Sequence, residues 1–275
     1  MVNVPTLAAN VEQDAHGLWV SKSRSQVSYP VADNEVCYQI EDSSFWFKHR
    51  NRCIVQCVRA YPPSGAVFDV GGGNGFVSLA LQDAGWDTVV VEPGVVGASN
   101  ARRRGLPEVI CSTFEDAGFR PKSLPAVGMF DVLEHVEDDE AFLRKLHDAM
   151  VPGGRFYLTV PSYQWLWSAE DTYAGHFRRY SLTSLTARLA AAGFECEFGS
   201  YLFAILPLPV FLLRSIPYLL GSKTITTSEN AANDHAAGRL DKLLNRTFAW
   251  EQNRLGRQRP IPVGSSCLVV AKARP

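Results

Sequence analysis

At 275 residues with 46% hydrophobic content, the chain is long enough to bury one large core or two smaller ones. Its 27 basic and 28 acidic residues leave a net charge of −1, which argues against a broad nucleic-acid-binding face. Six cysteines, at 37, 53, 57, 111, 196 and 267, show no Cys-x-x-Cys spacing, so buried, reduced thiols are expected and no metal site is.

The N-terminus lacks a succession of basic, apolar and cleavage-site residues, and a cytoplasmic protein is expected. Residues 1–40 carry no sustained period and read as an irregular arm. Ser43 or Ser44 can cap a helix that runs to Tyr61, where Pro62 and Pro63 stop it. Five apolar, β-branched runs follow, at Val67–Val70, Thr88–Glu92, Glu108–Cys111, Val127–Phe130 and Arg155–Thr159. Such runs fit parallel strands covered on both faces. Helices alternate with them, the clearest starting near Asp138 with Phe142, Leu143, Leu146 and Met150 on one side. The alternation predicts right-handed crossovers and a doubly wound α/β sheet. A helix over Ser184–Ala192 and strands at Phe194–Ser200 and Cys267–Ala271 complete the pattern.

The gap between those last two strands is too long for a hairpin and must carry structure of its own. It opens with Tyr201–Leu220, a mostly apolar stretch long enough to span a membrane. Pro207, Pro209 and Pro217 break helical pairing there, and Arg214 places a charge in the middle. A buried cap over the active site is therefore expected, with a peripheral, lipid-facing element at 201–220 as the alternative. Residues 221–236 read as loop, and a helix carrying Leu240, Leu243, Leu244, Phe248 and Leu255 reads as a packing element.

The chemistry is densest at Val67-Phe68-Asp69-Val70-Gly71-Gly72-Gly73-Asn74-Gly75, an apolar strand that breaks into glycines behind one aspartate. A dinucleotide fingerprint would want a third glycine at 76, where Phe76 stands. A carboxylate at the strand tip repels a pyrophosphate and suits an ammonium group. The next strand stops at Glu92, whose two oxygens can hold both hydroxyls of a ribose. S-adenosylmethionine (SAM) carries both an ammonium group and a ribose.

Three motifs in order make the chain similar to class I SAM-dependent methyltransferases: Phe68–Gly75, the run Phe130-Asp131-Val132-Leu133-Glu134-His135-Val136, and Pro152-Gly153-Gly154. The second resembles the fourth-strand motif of the branch that includes ubiquinone-type methyltransferases. The resemblance implies a seven-stranded Rossmann-like sheet whose final strand is antiparallel and inserted. It implies that Asp69 accepts from the SAM ammonium while Gly71, Gly73 and Gly75 admit the methionine portion close to the backbone. Phe114 is then expected against adenine, and Asp131 lines the methionine end, with His135 a structural or basic histidine of the same turn. The aromatic-rich helix Phe45-Trp46-Phe47-Lys48-His49-Arg50 is expected to fold over the cofactor as a lid, with Arg50 on the SAM carboxylate. Domain boundaries follow: arm and lid helix over 1–62, SAM-binding core over 63–200, apolar cap insert over 201–265, last core strand over 266–275.

After the fifth strand come Ser162-Tyr163-Gln164-Trp165-Leu166-Trp167 and Gly175-His176-Phe177-Arg178-Arg179-Tyr180. A similar Gly-His-x-Arg-Arg-Tyr run occurs in a bacterial branch of the family. His176 is the candidate proton acceptor and Tyr180 a residue to orient the acceptor. Arg178 and Arg179 either grip an anionic acceptor group or form internal ion pairs. Tyr163, Trp165 and Trp167 are candidates to wall the pocket. The expected activity is in-line methyl transfer to oxygen, nitrogen or carbon of a small-molecule, amphiphilic or lipid-linked acceptor. Aminocarboxypropyl transfer, SAM cyclisation, and SAM binding without catalysis are the alternatives.

Overall fold

The computed structural model describes residues 2–15, 17–23, 33–222 and 238–275. Among the described residues, nine strands form one sheet: β1 (Val11–Gln13), β2 (Trp19–Ser21), β3 (Val67–Val70), β4 (Thr88–Val91), β5 (Val109–Cys111), β6 (Leu124–Phe130), β7 (Met150–Pro161), β8 (Phe194–Leu202) and β9 (Ser266–Ala273). Their order is β1-β2-β5-β4-β3-β6-β7-β9-β8. Strands β3 to β7 are parallel to their neighbours among themselves, and β9 runs antiparallel between β7 and β8. The seven strands β3–β9 thus make the expected doubly wound sheet, with the final strand inserted as anticipated.

The other two strands correct the reading of the N-terminus as an irregular arm. β1 and β2 form a short antiparallel pair, and β2 extends the sheet parallel to β5, setting Trp19 beside Ile110. Trp19 Nε1 donates to Glu108 at 3.1 Å. Three-residue strands are too short to show a period in sequence. A helix at Asp33–Ile40 lies in the same stretch.

The core strands are buried on both faces, as their unbroken apolar character requires. One apolar layer joins Phe68, Val89, Ile110 and Leu158 to the helices Asp139–Ala149 and Leu182–Ala191. The opposite layer joins Val67, Phe130 and Val270 to Phe45–Ala60 and Phe76–Asp83. Helix Phe45–Ala60 starts where Ser44 Oγ accepts the Trp46 amide at 3.3 Å, and it buries His49, Cys53 and Cys57 on one stripe against helix Gly238–Gly256.

In the insert, β8 continues into short helices at Pro207–Val210 and Ile216–Leu219, joined by one wide turn over Phe211–Ser215. Proline is tolerated in the first helical turn, where its missing N–H goes unneeded. The expected buried cap has an open apolar face: Leu208, Leu213, Leu219 and Leu220 are 64–82% exposed. No described helix is long and apolar enough to cross a membrane. The expected loop at 221–236, beyond its first two residues, lies outside the described residues, as do the side chains of Leu240 and Leu243.

Candidate active site

Sheet order reverses between β3 and β6, and in such sheets ligands bind at the carboxyl ends beside that reversal. Asp69 sits on β3, Glu92 follows β4, Asp131 follows β6 and Ser162 follows β7. The four segments thus deliver their polar residues to one edge.

The turn after β3 is bare by necessity. Gly75 has φ +74°, and a Cβ there would stand 2.4 Å from Leu106, so the helix Phe76–Asp83 can start only from glycine. Gly73, at φ +53°, is different: an added Cβ would meet nothing closer than Asn34 Oδ1 at 3.9 Å. A Cβ at Gly71 would collide with Val132, so this glycine permits the two strand ends to close up.

Asp69 is buried and accepts from Ser78 Oγ at 2.7 Å; burial raises its pKa to about 6 against the lowering effects of Ser78 and Arg50. Glu92 accepts the amides of Gly73 and Gly94, each at 2.8 Å, and burial raises its pKa to about 7 despite those bonds. Glu134 is pushed well above the carboxylate range by burial and then by Asp131. Glu41 is also raised by burial, although Asn74 and Arg104 hold it. Against these stands Arg50, which pairs with Asp131 and lies under the rings of Trp46 and Phe47 at 4.7 and 5.4 Å. Asp131 holds the left-handed backbone at φ +60° and also accepts from Thr159 Oγ1 at 3.2 Å. This edge carries more acid than base, and a ligand with excess positive charge offsets it.

SAM fits that edge by charge, having a sulfonium and an ammonium against one carboxylate. It also fits by shape at Gly73, where the backbone is open to close approach. Asp69, Gly73 and Glu92 lie where the motif reading put them, and Arg50 lies beside Asp131. Asn34 and Glu41 were not anticipated. Asn74 Nδ2 donates to the Asn34 carbonyl at 2.8 Å, and the Asn34 amide lies against Gly94 and Gly97, so helix Asp33–Ile40 covers the glycine turn. The helix expected as the lid, Phe45–Ala60, is instead packed into the fold: Phe45 stacks on Phe248 and Trp46 on Phe203. Phe114 also departs from expectation. It is 7% exposed and packs against Phe119 and Phe142, facing the core because the short helix it starts turns its ring inward.

The segment after β7 is organised by a buried carboxylate that the sequence reading passed over. Asp171 takes His176 Nδ1 at 2.8 Å, Arg179 through two nitrogens at 2.8 Å each, and the Ser168 amide and hydroxyl. Burial alone would raise its pKa, but the bonds from His176 and Arg179 prevail and lower it to about 2. Arg178 pairs with buried Asp139 at 2.9 Å. Both arginines are therefore spent on internal carboxylates, which corrects the alternative that they grip an anionic acceptor. Tyr180 is corrected likewise: it is 2% exposed, and its hydroxyl donates to Asp139 at 2.8 Å, so it cannot orient an acceptor. Tyr163 stacks between Trp165 and Tyr201, and Trp165 meets Phe211 of the insert edge-on with half its surface exposed. His176 is half-buried, and its ring stands 4.7 Å from that of His135, edge to face. The His135 pKa is lowered to about 4, by burial first and by His176 second.

Residues 39–197, more than half of the chain, match a family model described as a methyltransferase domain. A Mycolicibacterium smegmatis protein named as an SAM-dependent methyltransferase is 23% identical over 172 residues, covering 61% of this chain and 66% of that one. A Pseudomonas paraeruginosa ubiquinone biosynthesis O-methyltransferase is 28% identical over 100 residues, covering 34% of this chain and 43% of its own length. The chain thus spans less than two thirds of either curated relative. Among solved structures, an SAM-dependent methyltransferase from Thermotoga maritima is similar at TM-score 0.55 and 16% identity, over 88% of this chain and 95% of that one. The [4+2]-cyclase SpnF is similar at TM-score 0.57 and 15% identity, over 91% and 99%.

Proposed function

The chain belongs to the SAM-dependent methyltransferases, and on that premise we propose that it methylates an oxygen or nitrogen of a small, amphiphilic acceptor. The observation that carries this reading is the pairing of Asp171 with His176 beside the methionine end of the cofactor edge. Asp171 fixes Nδ1 of His176 as the donor, which leaves the lone pair of the neutral ring on Nε2, and the ring stands edge to face with that of His135.

SAM supplies an activated methyl group on a cationic sulfur, so this chain's residues have mostly to align and to exclude water. Asp69 would hold the ammonium, Glu92 the ribose hydroxyls, and Arg50 the carboxylate, with Asp131 setting the guanidinium in place. Helix Asp33–Ile40 would close over the nucleoside. Proton removal from the acceptor falls to the corner around His176. The exposed leucines of the insert and the half-exposed Trp165 would receive an apolar tail, or rest against a membrane surface that supplies one.

The test is to incubate the protein with SAM and a panel of amphiphilic hydroxyl and amine compounds and to identify the product. S-adenosylhomocysteine with a methylated acceptor is expected. Methylthioadenosine would instead indicate transfer of the aminocarboxypropyl chain, and the fold alone does not choose between these. Replacing His176 by Ala should leave SAM affinity unchanged while turnover falls about 10²–10⁴-fold.

A further inference from the structure

We propose that Arg214 and Tyr218 of the insert are positioning residues for His176. They hold the short helix Ala169–Tyr173, and with it Asp171, in the place from which Asp171 orients the imidazole. The inference rests on the reading of His176 as the proton acceptor, and it names what keeps that ring in place.

Helix Ala169–Tyr173 has five residues, too few to be stable on its own hydrogen bonds, so its neighbours fix its position. Its side chains divide between two tasks. Asp171 turns inward, where it takes Ser168, His176 and Arg179. The residues on either side of it reach the insert instead. Glu170 Oε1 stands 3.5 Å from Arg214 Nε, and Thr172 Oγ1 shares a hydrogen bond of 3.3 Å with the Tyr218 hydroxyl. Thr172 Oγ1 also accepts from Trp167 Nε1 at 3.3 Å. The insert thus touches this helix immediately before and immediately after the carboxylate that holds His176.

Those contacts, not close packing, set the spacing between the two elements. A cavity of about 110 Å³ lies between them, with Ala169 on one wall and Leu213 and Pro217 on the other. Where apolar side chains interdigitate, their volumes dictate the separation; across a void, the groups that reach over it do so. This gives a reason for an arginine in the middle of an otherwise apolar stretch. The wide turn Phe211–Ser215 carries it, an irregularity of the kind found at functional sites. The exposed Leu213 and Leu219 are the chain neighbours of Arg214 and Tyr218, so an apolar tail seated on these leucines bears on both contacts. Arrival of the acceptor's tail is then transmitted to the ring that takes its proton.

The experiment uses the full chain, isotope-labelled at histidine nitrogen and bound to S-adenosylhomocysteine, read by nuclear magnetic resonance. The Nδ1 proton that His176 gives to a buried carboxylate should appear as a resolved downfield signal, identified by its absence from His176→Ala. In the Arg214→Ala, Tyr218→Phe double variant its exchange with water should quicken by about tenfold or more, and in Arg214→Lys it should stay within about twofold of wild type. Both replaced side chains are partly exposed, and unchanged SAM affinity marks each variant as folded. Octyl glucoside below its micelle concentration, standing in for an apolar tail, should shift the His176 signal in the wild type and not in the double variant. Unchanged exchange in the double variant overturns the proposal. So does absence of the signal from the wild type, or an equal octyl glucoside shift in both proteins. Full turnover by His176→Ala would instead refute the proton-acceptor reading, and failure to bind SAM the methyltransferase reading; the ring signal reports the insert's hold in either case.

Discussion

SAM affinity should rise steeply with pH between 6 and 7. Asp69 and Glu92 have pKa values raised to about 6 and about 7, each chiefly by burial. An ammonium group and ribose hydroxyls are best received by ionised carboxylates, so the binding-competent form has both deprotonated. At pH 6 about one half of Asp69 and one eleventh of Glu92 are ionised, and at pH 7 about ten elevenths and one half. The products differ about tenfold, which corresponds to about 1.4 kcal/mol. Calorimetry of SAM binding in buffers of different ionisation enthalpy checks both parts: Kd should fall about tenfold over that unit, and more than one proton should leave per SAM at pH 6. Ligand-free stability should move the other way. Above the ordinary carboxylate range the unfolded chain has lost these protons while the folded chain keeps them, so these two groups lower stability as pH climbs through about 4 to 7. A flat Kd with no proton release, in protein whose circular dichroism is unchanged, would refute the assignment of these two acids to the ligand.

The two glycines of the turn should separate folding from binding. Gly75→Ala should prevent stable folding, since its Cβ would stand 2.4 Å from Leu106, whereas Gly73→Ala should cost only the ~1–2 kcal/mol of a left-handed residue yet abolish SAM binding; thermal melts and calorimetry distinguish the two. Arg50→Ala strands Asp131 and should lower stability by about 3–5 kcal/mol in denaturant titration, with SAM affinity lost. Tyr180→Phe removes one bond to Asp139 and should cost about 2 kcal/mol in the same assay while kcat stays as it was. Leu213→Asp with Leu219→Asp should change stability by less than about 1 kcal/mol in total, raise KM for long-chain acceptors about tenfold or more, and leave short soluble analogues unaffected; equal effects on both would contradict the apolar docking face.

The strands and the glycine turn were legible because both carry local signatures: runs buried on two faces leave no polar alternation, and glycine takes the left-handed backbone angles at 73 and 75 without the cost a side chain would add. Ser44 likewise announces its helix by its own chemistry. What was not legible depends on partners distant in the chain. Arg178 and Arg179 look alike in sequence whether they face a substrate or a carboxylate, and Asp139 and Asp171 decide the matter only in three dimensions. Asp171 gave no signal, being one acid in an ordinary helical stretch. Phe114 was placed correctly after its strand, but its side chain turned to the core, which a single aromatic cannot reveal. Asn34 and Glu41 lie in a stretch without periodicity, and their position over the glycine turn is purely tertiary.

Glu251 ties three parts of the molecule at one point: its helix, the backbone at Phe203 and Ala204 where the insert leaves the sheet, and His49, next in line to Arg50. The insert is therefore a keystone, not an appendage. Excising it, or exchanging it for that of a relative to change acceptor preference, would remove Glu251 and strip the buried His49 imidazole of its carboxylate, beneath the residue proposed to grip the cofactor's carboxylate. Engineering of acceptor choice in this scaffold should transplant Glu251 and His49 together or leave the insert's root untouched and vary only its leucine-bearing tip.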